Sequence, residues 1–349
     1  PATDSTIAAW RTLSENYAKT CGEENGELLS HMTTRDSAND MEYLRMALGV
    51  QRISFYGYSY GTYLGQVYAT LYPRRLTRMV LDSTVDPTRV WYGANLDQDV
   101  AFQTAIEAWF TWLAKYDARY GLGSTRQEVE ASYDALAKQL AADPADGVFG
   151  SAELTDTLLY AGYAQSLWPD LGTAFALAVR GDTAAAQQYW TTLNDVTDDN
   201  GFAAYLAVEC TDAAWPGEWS TWAADSARVA KLAPFETWGN TWFNAPCRTW
   251  PAKSGTPVDV DGSKVAPILM IDETLDAATP YSGSLAVRKL FPKARLLAEP
   301  GGTTHADSLS GNTCVDDTIA AYLDDGTLPP RKAGEGPDAT CAPLPVPTP

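Results

Sequence analysis

The chain has 349 residues and 45% hydrophobic content, enough for one large domain with an insertion or for two domains, and too apolar for a disordered chain. Its 25 basic and 44 acidic residues give a formal charge of −19, which argues against nucleic-acid and anionic-membrane partners and fits the solvated acidic surface of a secreted protein. No apolar run of about 18 residues and no signal peptide is present, and a start at Pro1 without Met reads as a processed or truncated product.

Residues 1–50 are polar and helical in pattern. Ile7 to Tyr17 carries an amphipathic stripe with Trp10 and Leu13. A second helix starts near Asp36 and ends at Gly49, with Met41, Leu44, Leu48 and Tyr43 expected on its apolar face. Arg52 to Tyr56 follows, with the β-branched and aromatic character of a short buried strand. Phe55-Tyr56-Gly57-Tyr58-Ser59-Tyr60-Gly61 closes that strand, and Tyr60 to Tyr72 reads as a helix stopped by Pro73. Strand, sharp turn and helix are the setting that a G-x-S-x-G nucleophile elbow requires. Glycines without Cβ permit a turn tight enough to lift Ser59 clear of the sheet. Leu76 to Leu81 is a further short strand, ended by Asp82-Ser83 and the turn at Asp86-Pro87.

The character changes from Trp91 to Pro251, where helical patterns occupy Asp99–Tyr116, Arg126–Ala141, Leu154–Trp168, Leu171–Arg180, Thr183–Leu193 and Phe202–Val208 without a clear buried strand. Ten of the twelve tryptophans lie between Trp91 and Trp242, most of them expected in a helical core and a few against a ligand cavity. Strand character returns at Val265–Ile271, followed by a loop with Asp272, Glu273 and Asp276. A helix over Tyr281–Leu290, a strand over Ala294–Ala298, a Gly-rich stretch ending in His305 and a helix over Thr313–Leu323 complete the pattern. The Pro-rich tail from Pro329 depends on Cys341 for order. Strands alternating with helices, with a helical block between two of them, predict an α/β sheet protein with a lid. The expected divisions are 1–90, 91–251 and 252–349.

The five cysteines lack C-x-x-C spacing and only two histidines accompany them, so no metal site and no cofactor is expected. Composition leaves five choices of odd thiol and three pairings for each. Nearest-neighbour pairing favours Cys210–Cys247 and Cys314–Cys341, each stabilising by roughly 3–4 kcal/mol, in an oxidising, extracellular setting. Cys21 is left over.

A serine hydroxyl needs a base to remove its proton, and the base needs a carboxylate to fix its tautomer. His31 precedes the serine in a polar stretch and reads as a surface or capping residue. His305 follows the last core strand in a Gly-rich loop, in the chain order Ser, acid, His that α/β-hydrolases use. Asp272 and Asp276 are both candidates for the acid. The Tyr60 backbone N–H is the expected oxyanion donor.

Gly57-Tyr58-Ser59-Tyr60-Gly61-Thr62-Tyr63-Leu64-Gly65 and Arg78-Met79-Val80-Leu81-Asp82-Ser83-Thr84-Val85-Asp86-Pro87 resemble the secreted bacterial tripeptidyl aminopeptidases, which are proline-iminopeptidase-related α/β-hydrolases. The likeness extends to Asp276-x-x-Thr279-Pro280, His305 and the Cys314–Cys341 tail. It implies an α/β-hydrolase core with an inserted helical lid, a Ser59–Asp276–His305 triad, and release of short peptides from free N-termini. Thr303-Thr304-His305-Ala306 departs from the family, whose members often carry Gly beside the histidine. The front of the chain also departs: residues 1–58 hold no His-Gly-Gly oxyanion loop and no convincing strand before the elbow strand. An N-terminal portion, as a separate cleaved chain or a deleted one, is therefore expected to carry the first strands, that loop and a partner for Cys21. An aminopeptidase must also hold an ammonium group, and Glu209 and Asp212, flanking Cys210, are the candidates for it. The competing readings are a secreted carboxylesterase acting on small esters and a non-catalytic hydrolase-fold fragment.

Overall fold

The computed structural model describes residues 3–194 and 198–349. Its five strands are β1 (Ile53–Tyr58), β2 (Leu76–Asp82), β3 (Leu269–Glu273), β4 (Arg295–Glu299) and β5 (Ala339–Thr340). They pair in that order, every pair parallel, with β1 at one edge. Helices α1 (Asp4–Leu29), α2 (Thr34–Ala47) and α3 (Tyr60–Leu71) surround β1 in sequence. Between β2 and β3 come α4 (Tyr92–Lys115), α5 (Asp117–Tyr120), α6 (Arg126–Ala142), α7 (Ser151–Tyr163), α8 (Trp168–Val179), α9 (Ala184–Leu193), α10 (Asn200–Asp212), α11 (Trp219–Val229) and α12 (Thr237–Asn244). Helices α13 (Ser282–Leu290) and α14 (Thr313–Asp324) flank β4 in the chain.

Two-residue alternation along the strands builds the core on both faces of the sheet. Met79, Leu81, Met270 and Leu296 pack with Tyr63, Val67 and Tyr68 of α3 and Val287 of α13. Val80, Leu269, Ile271 and Leu297 pack instead with Val315, Ile319 and Tyr322 of α14. The helical block has a core of its own around Trp109, Phe110, Leu113 and Phe175.

Four elements differ from the sequence reading. Of the apolar face expected for α2 only Met41 packs against the core, while Tyr43, Leu44 and Leu48 are 65%, 63% and 74% exposed. The helix instead buries Thr34, Ala38, Glu42 and Arg45. The Arg45 guanidinium donates to both oxygens of Glu42 at 2.8 and 2.7 Å, and the Tyr68 hydroxyl donates to the same carboxylate at 3.1 Å, so a paired charge occupies the contact with α3. Strand β3 lies further along than Val265–Ile271 and includes Asp272 and Glu273, both buried. Carboxylates are seldom buried, so the pattern assigns them to a loop. Helices α11 and α12 have no counterpart in the sequence reading; they are Trp-rich, and the ring pairs Trp215–Trp222, Trp219–Trp242 and Trp238–Trp242 pack this region. Trp10 of α1 stacks on Trp242, and Glu15 pairs with Arg248, fastening α1 to the helical block.

Disulfides Cys210–Cys247 and Cys314–Cys341 are present as nearest-neighbour pairing predicts, and Cys21 is a free thiol. Two such bonds are compatible with an oxidising compartment, and no described helix is long and apolar enough to cross a membrane. The Pro-rich tail returns to the sheet as β5. Just before it, Asp338 accepts from Arg288 Nε and Nη2 at 3.0 and 2.7 Å, from the Leu296 N–H at 2.9 Å and from the Lys332 N–H at 2.7 Å.

Burial works against the Asp338 charge, but Arg288 and the two N–H groups pull its pKa down to about 2. A carboxylate depressed below its unfolded value of about 3.9 stabilises the fold above that pH and loses its contribution as pH falls through the folded value. Asp338→Asn leaves Arg288 buried without its partner and is expected to cost about 3–5 kcal/mol near neutral pH. In a calorimetric series the gap in Tm between wild type and variant should shrink between about pH 4 and pH 2. A gap independent of pH would contradict this account of the tail.

Candidate active site

The C-terminal ends of β1 and β2 stop side by side, with Tyr58 in register with Asp82. Ser59 follows directly at φ 52, ψ −125, a conformation that non-glycine residues rarely adopt, and α3 starts at the next residue. The turn is fixed from both sides: the Ser59 N–H donates to the Asp82 carbonyl at 3.1 Å, and the Thr62 N–H and hydroxyl bond back to the Ser59 carbonyl at 2.8 and 2.6 Å. A Cβ on Gly57 would lie 2.6 Å from the Gly61 carbonyl oxygen and 2.7 Å from the Phe55 ring. Gly61, by contrast, has open space where a Cβ would go. Gly65, outside the five-residue motif, is also crowded, its Cβ lying 2.5 Å from the Phe55 ring, but there only side chains, not backbone, would have to give way.

His305 is brought to these strand ends by its own loop. The Ala306 N–H donates to Ser83 Oγ at 2.8 Å, and the Ser308 N–H and hydroxyl donate to Asp82 Oδ2. The His305 N–H donates to the Tyr163 carbonyl of α7 at 2.8 Å, with the Tyr163 ring edge-on to the imidazole at 5.8 Å. Ser83 and Ala306 both take positive φ, so local backbone strain gathers around this loop as well as at Ser59.

Nδ1 of His305 lies 2.9 and 3.1 Å from the two oxygens of Asp276. A carboxylate there accepts, which assigns the ring proton to Nδ1 and leaves Nε2 as the free nitrogen. Asp276 is itself held by the N–H groups of Ala278 and Thr279 at 2.9 and 3.0 Å and by the Thr279 hydroxyl at 3.0 Å. Burial disfavours a charged His305, but Asp276, with a smaller contribution from Asp82, outweighs it and raises the pKa above the ordinary histidine value. The other acid, Asp272, accepts from the Ser284 hydroxyl at 2.6 Å and is fully buried in β3. His31 is exposed on the turn after α1.

A cavity of about 810 Å³ opens above Ser59 and Tyr60, between the elbow, the Ala278–Pro280 segment and helices α4, α7, α10 and α12. Phe102, Leu159, Tyr160, Tyr163 and Phe243 supply apolar wall, and Trp91 is the one tryptophan among its lining residues. Thr279 and Tyr163 line this cavity and also touch His305, linking the imidazole to the space above Ser59. Five carboxylates line the cavity, those of Asp86, Asp97, Asp156, Glu209 and Glu236, against the single cation Arg89, which is paired to Asp97 at 2.7 Å.

Glu209 is 7% exposed and its Oε2 has no hydrogen-bond partner. Burial pushes its pKa up to about 8 against the opposing effect of Tyr205 and Asn95. Glu236, which sequence reading missed, is equally buried; desolvation and repulsion from Asp99 and Asp156 hold its carboxyl well above the usual range. Nothing in its local sequence marks it, since it faces Glu209's cavity only through the packing of the helical block. Asp212 takes a different place from the one expected. Its oxygens accept from the Thr34 N–H at 2.6 Å, the Thr34 hydroxyl and the Trp91 indole at 3.2 Å, so it secures the start of α2 and is absent from the cavity wall.

The glycine geometry separates two substitutions that the motif treats alike. Gly57→Ala is expected to cost about 3 kcal/mol or more by overpacking against backbone. Gly61→Ala should keep wild-type stability or gain up to about 1 kcal/mol from helix propensity. Thermal melts of the two variants measure this, and a reversed order would contradict the assignment of Gly57 as the constrained position.

Comparison with known proteins finds similarity to several hydrolases. Residues 233–341 match the family described as TAP-like protein. All of the chain aligns with a tripeptidyl aminopeptidase of Streptomyces lividans at 42% identity, spanning 65% of that protein. The serine protease Hip1 of Mycobacterium tuberculosis is 29% identical over 94% of the chain and 66% of its own length. Carboxylesterase B of the same organism is 30% identical over 90% of the chain and 62% of its own length. The chain thus spans a little under two thirds of the S. lividans protein.

Proposed function

We propose that this chain, whose residues 233–341 match the TAP-like family and all of which aligns with a tripeptidyl aminopeptidase, carries the reaction centre of a serine exopeptidase releasing short peptides from free N-termini. The observation that carries the reading is the pairing, in one cavity, of Ser59 with the buried carboxylates of Glu209 and Glu236. In this proposal Ser59 Oγ attacks the scissile carbonyl while His305 Nε2 takes its proton, with Asp276 holding the imidazolium from the other side. The Tyr60 N–H, at the first turn of α3, stabilises the oxyanion that forms. His305 then gives the proton to the leaving amine, and water hydrolyses the acyl-enzyme by the same route. The helices between β2 and β3 act as the lid that admits short peptides.

A buried carboxylate oxygen without a partner is costly, and a substrate ammonium would relieve that cost at Glu209 Oε2. An ester without a cation gains nothing from these acids, so the cavity favours a peptide amine over the small neutral ester of the carboxylesterase reading. The two disulfides support a secreted, extracellular setting.

Hydrolysis of a free and an N-acetylated tripeptide anilide tests the proposal. The free peptide should be preferred by about 100-fold or more in kcat/KM, and Ser59→Ala should lower turnover of both by about 10⁴-fold or more. Glu209→Gln should weaken the free peptide about 10- to 100-fold while sparing the acetylated one. Equal losses on both substrates would remove Glu209 from the ammonium site, and full activity in Ser59→Ala would overturn the reaction assignment.

A further inference from the structure

A second group of buried acids lies behind the His305 loop. Glu273 ends β3, Glu299 ends β4, and Asp307 stands two residues after His305; their carboxylate oxygens converge within 4.8 Å of one another. They are 2%, 1% and 8% exposed, and no basic side chain among the described residues forms an ion pair with any of them. Three like charges in one buried space repel strongly, so either protons or a cation must occupy the site.

The hydrogen bonding distinguishes an outer from an inner side. The Thr304 N–H donates to Glu273 Oε2, and Asn312 Nδ2 donates to Glu299 Oε2 at 2.6 Å. These contacts orient two of the three carboxylates as outer-shell partners orient metal ligands. In contrast, Glu273 Oε1 and Asp307 Oδ2 are buried and have no hydrogen-bond partner at all. Gly302 makes room for the arrangement, since a Cβ there would lie 2.4 Å from the Glu273 carboxyl carbon.

The geometry points to a site for a hard divalent cation of the Ca²⁺ class, ligated by Glu273, Glu299 and Asp307. Oxygens around Ca²⁺ lie about 2.3–2.6 Å from the ion and so up to about 5 Å apart, whereas the shorter bonds and strict octahedron of Mg²⁺ suit this spacing less well. The ion would tie the ends of β3 and β4 to the loop carrying His305. This departs from the sequence expectation of no metal, which considered cysteine and histidine; the three acids are scattered between positions 273 and 307 and share no motif. The inference stands apart from the peptidase reading, and its readout is binding and melting.

The protein is stripped with a chelator, dialysed against micromolar Ca²⁺, and assayed by elemental mass spectrometry and thermal melting. About one equivalent of Ca²⁺ and a rise in Tm of at least about 5 °C are expected, with Mg²⁺ much weaker. Terbium luminescence, excited through the aromatic residues and displaced by Ca²⁺, follows occupancy in the wild-type chain and does not depend on any variant folding. Glu273→Gln and Asp307→Asn should each reduce uptake at least tenfold. Less than about 0.1 equivalent of bound ion with an unmoved Tm would overturn the proposal in favour of shared protons, as would full uptake by both variants.

Discussion

The arrangement depends on one steric constraint, the turn in which β1 gives way to α3 with no intervening loop. Backbone passes so close to backbone at Gly57 that no side chain fits, and Ser59 is held in a positive-φ conformation by bonds from both flanking elements. That turn sits where parallel strands end, and loops at the carboxyl ends of such strands are the natural place for a site in an open α/β sheet. Asp82, one strand over, receives the Ser59 N–H on its carbonyl and the Ser308 N–H on its carboxylate. A single residue therefore ties the serine turn to the histidine loop, although 246 positions separate Ser59 from His305 in the chain.

A second theme is the unequal distribution of acid. A net charge of −19 suggests a solvated coat, yet many carboxylates are buried without cations. Asp338 is the ordinary case, neutralised by Arg288 and the neighbouring Arg331. Glu209 and Glu236 face a cavity, and Glu273, Glu299 and Asp307 face one another. Buried acids retained without cations in two separate places must each be met by protons or by a ligand, and the two proposals place a ligand at each. The two ligands differ in kind: an organic ammonium fits an open cavity with aromatic walls, and a bare metal ion fits a closed pocket of oxygens.

Much of the fold was legible because local pattern and tertiary role agree there. The strand–serine–helix sequence, the strand at Leu76, the disulfide pairs and the position of His305 all follow from short-range chemistry or chain order. The choice between Asp272 and Asp276 did not follow from residues alone, since both lie near the end of β3; only the pleat sends Asp272 toward Ser284 while Asp276, beyond the strand, reaches His305. Helix α2 misled the reading because its buried face carries an Arg45–Glu42 pair while Tyr43, Leu44 and Leu48 are exposed, against the usual stripe. Glu236 and the Asp212–Thr34 contact were illegible for another reason: each depends on how distant helices stack, and no period or spacing in one segment encodes it.

The central claim, that the Ser59 hydroxyl at the floor of the cavity is activated by His305, is tested most directly by covalent labelling. A small fluorophosphonate should add to the protein once, at Ser59 by peptide mapping, and labelling should slow by several orders of magnitude in His305→Gln. Modification of some other residue, or a rate at Ser59 indifferent to loss of the imidazole, would contradict the account.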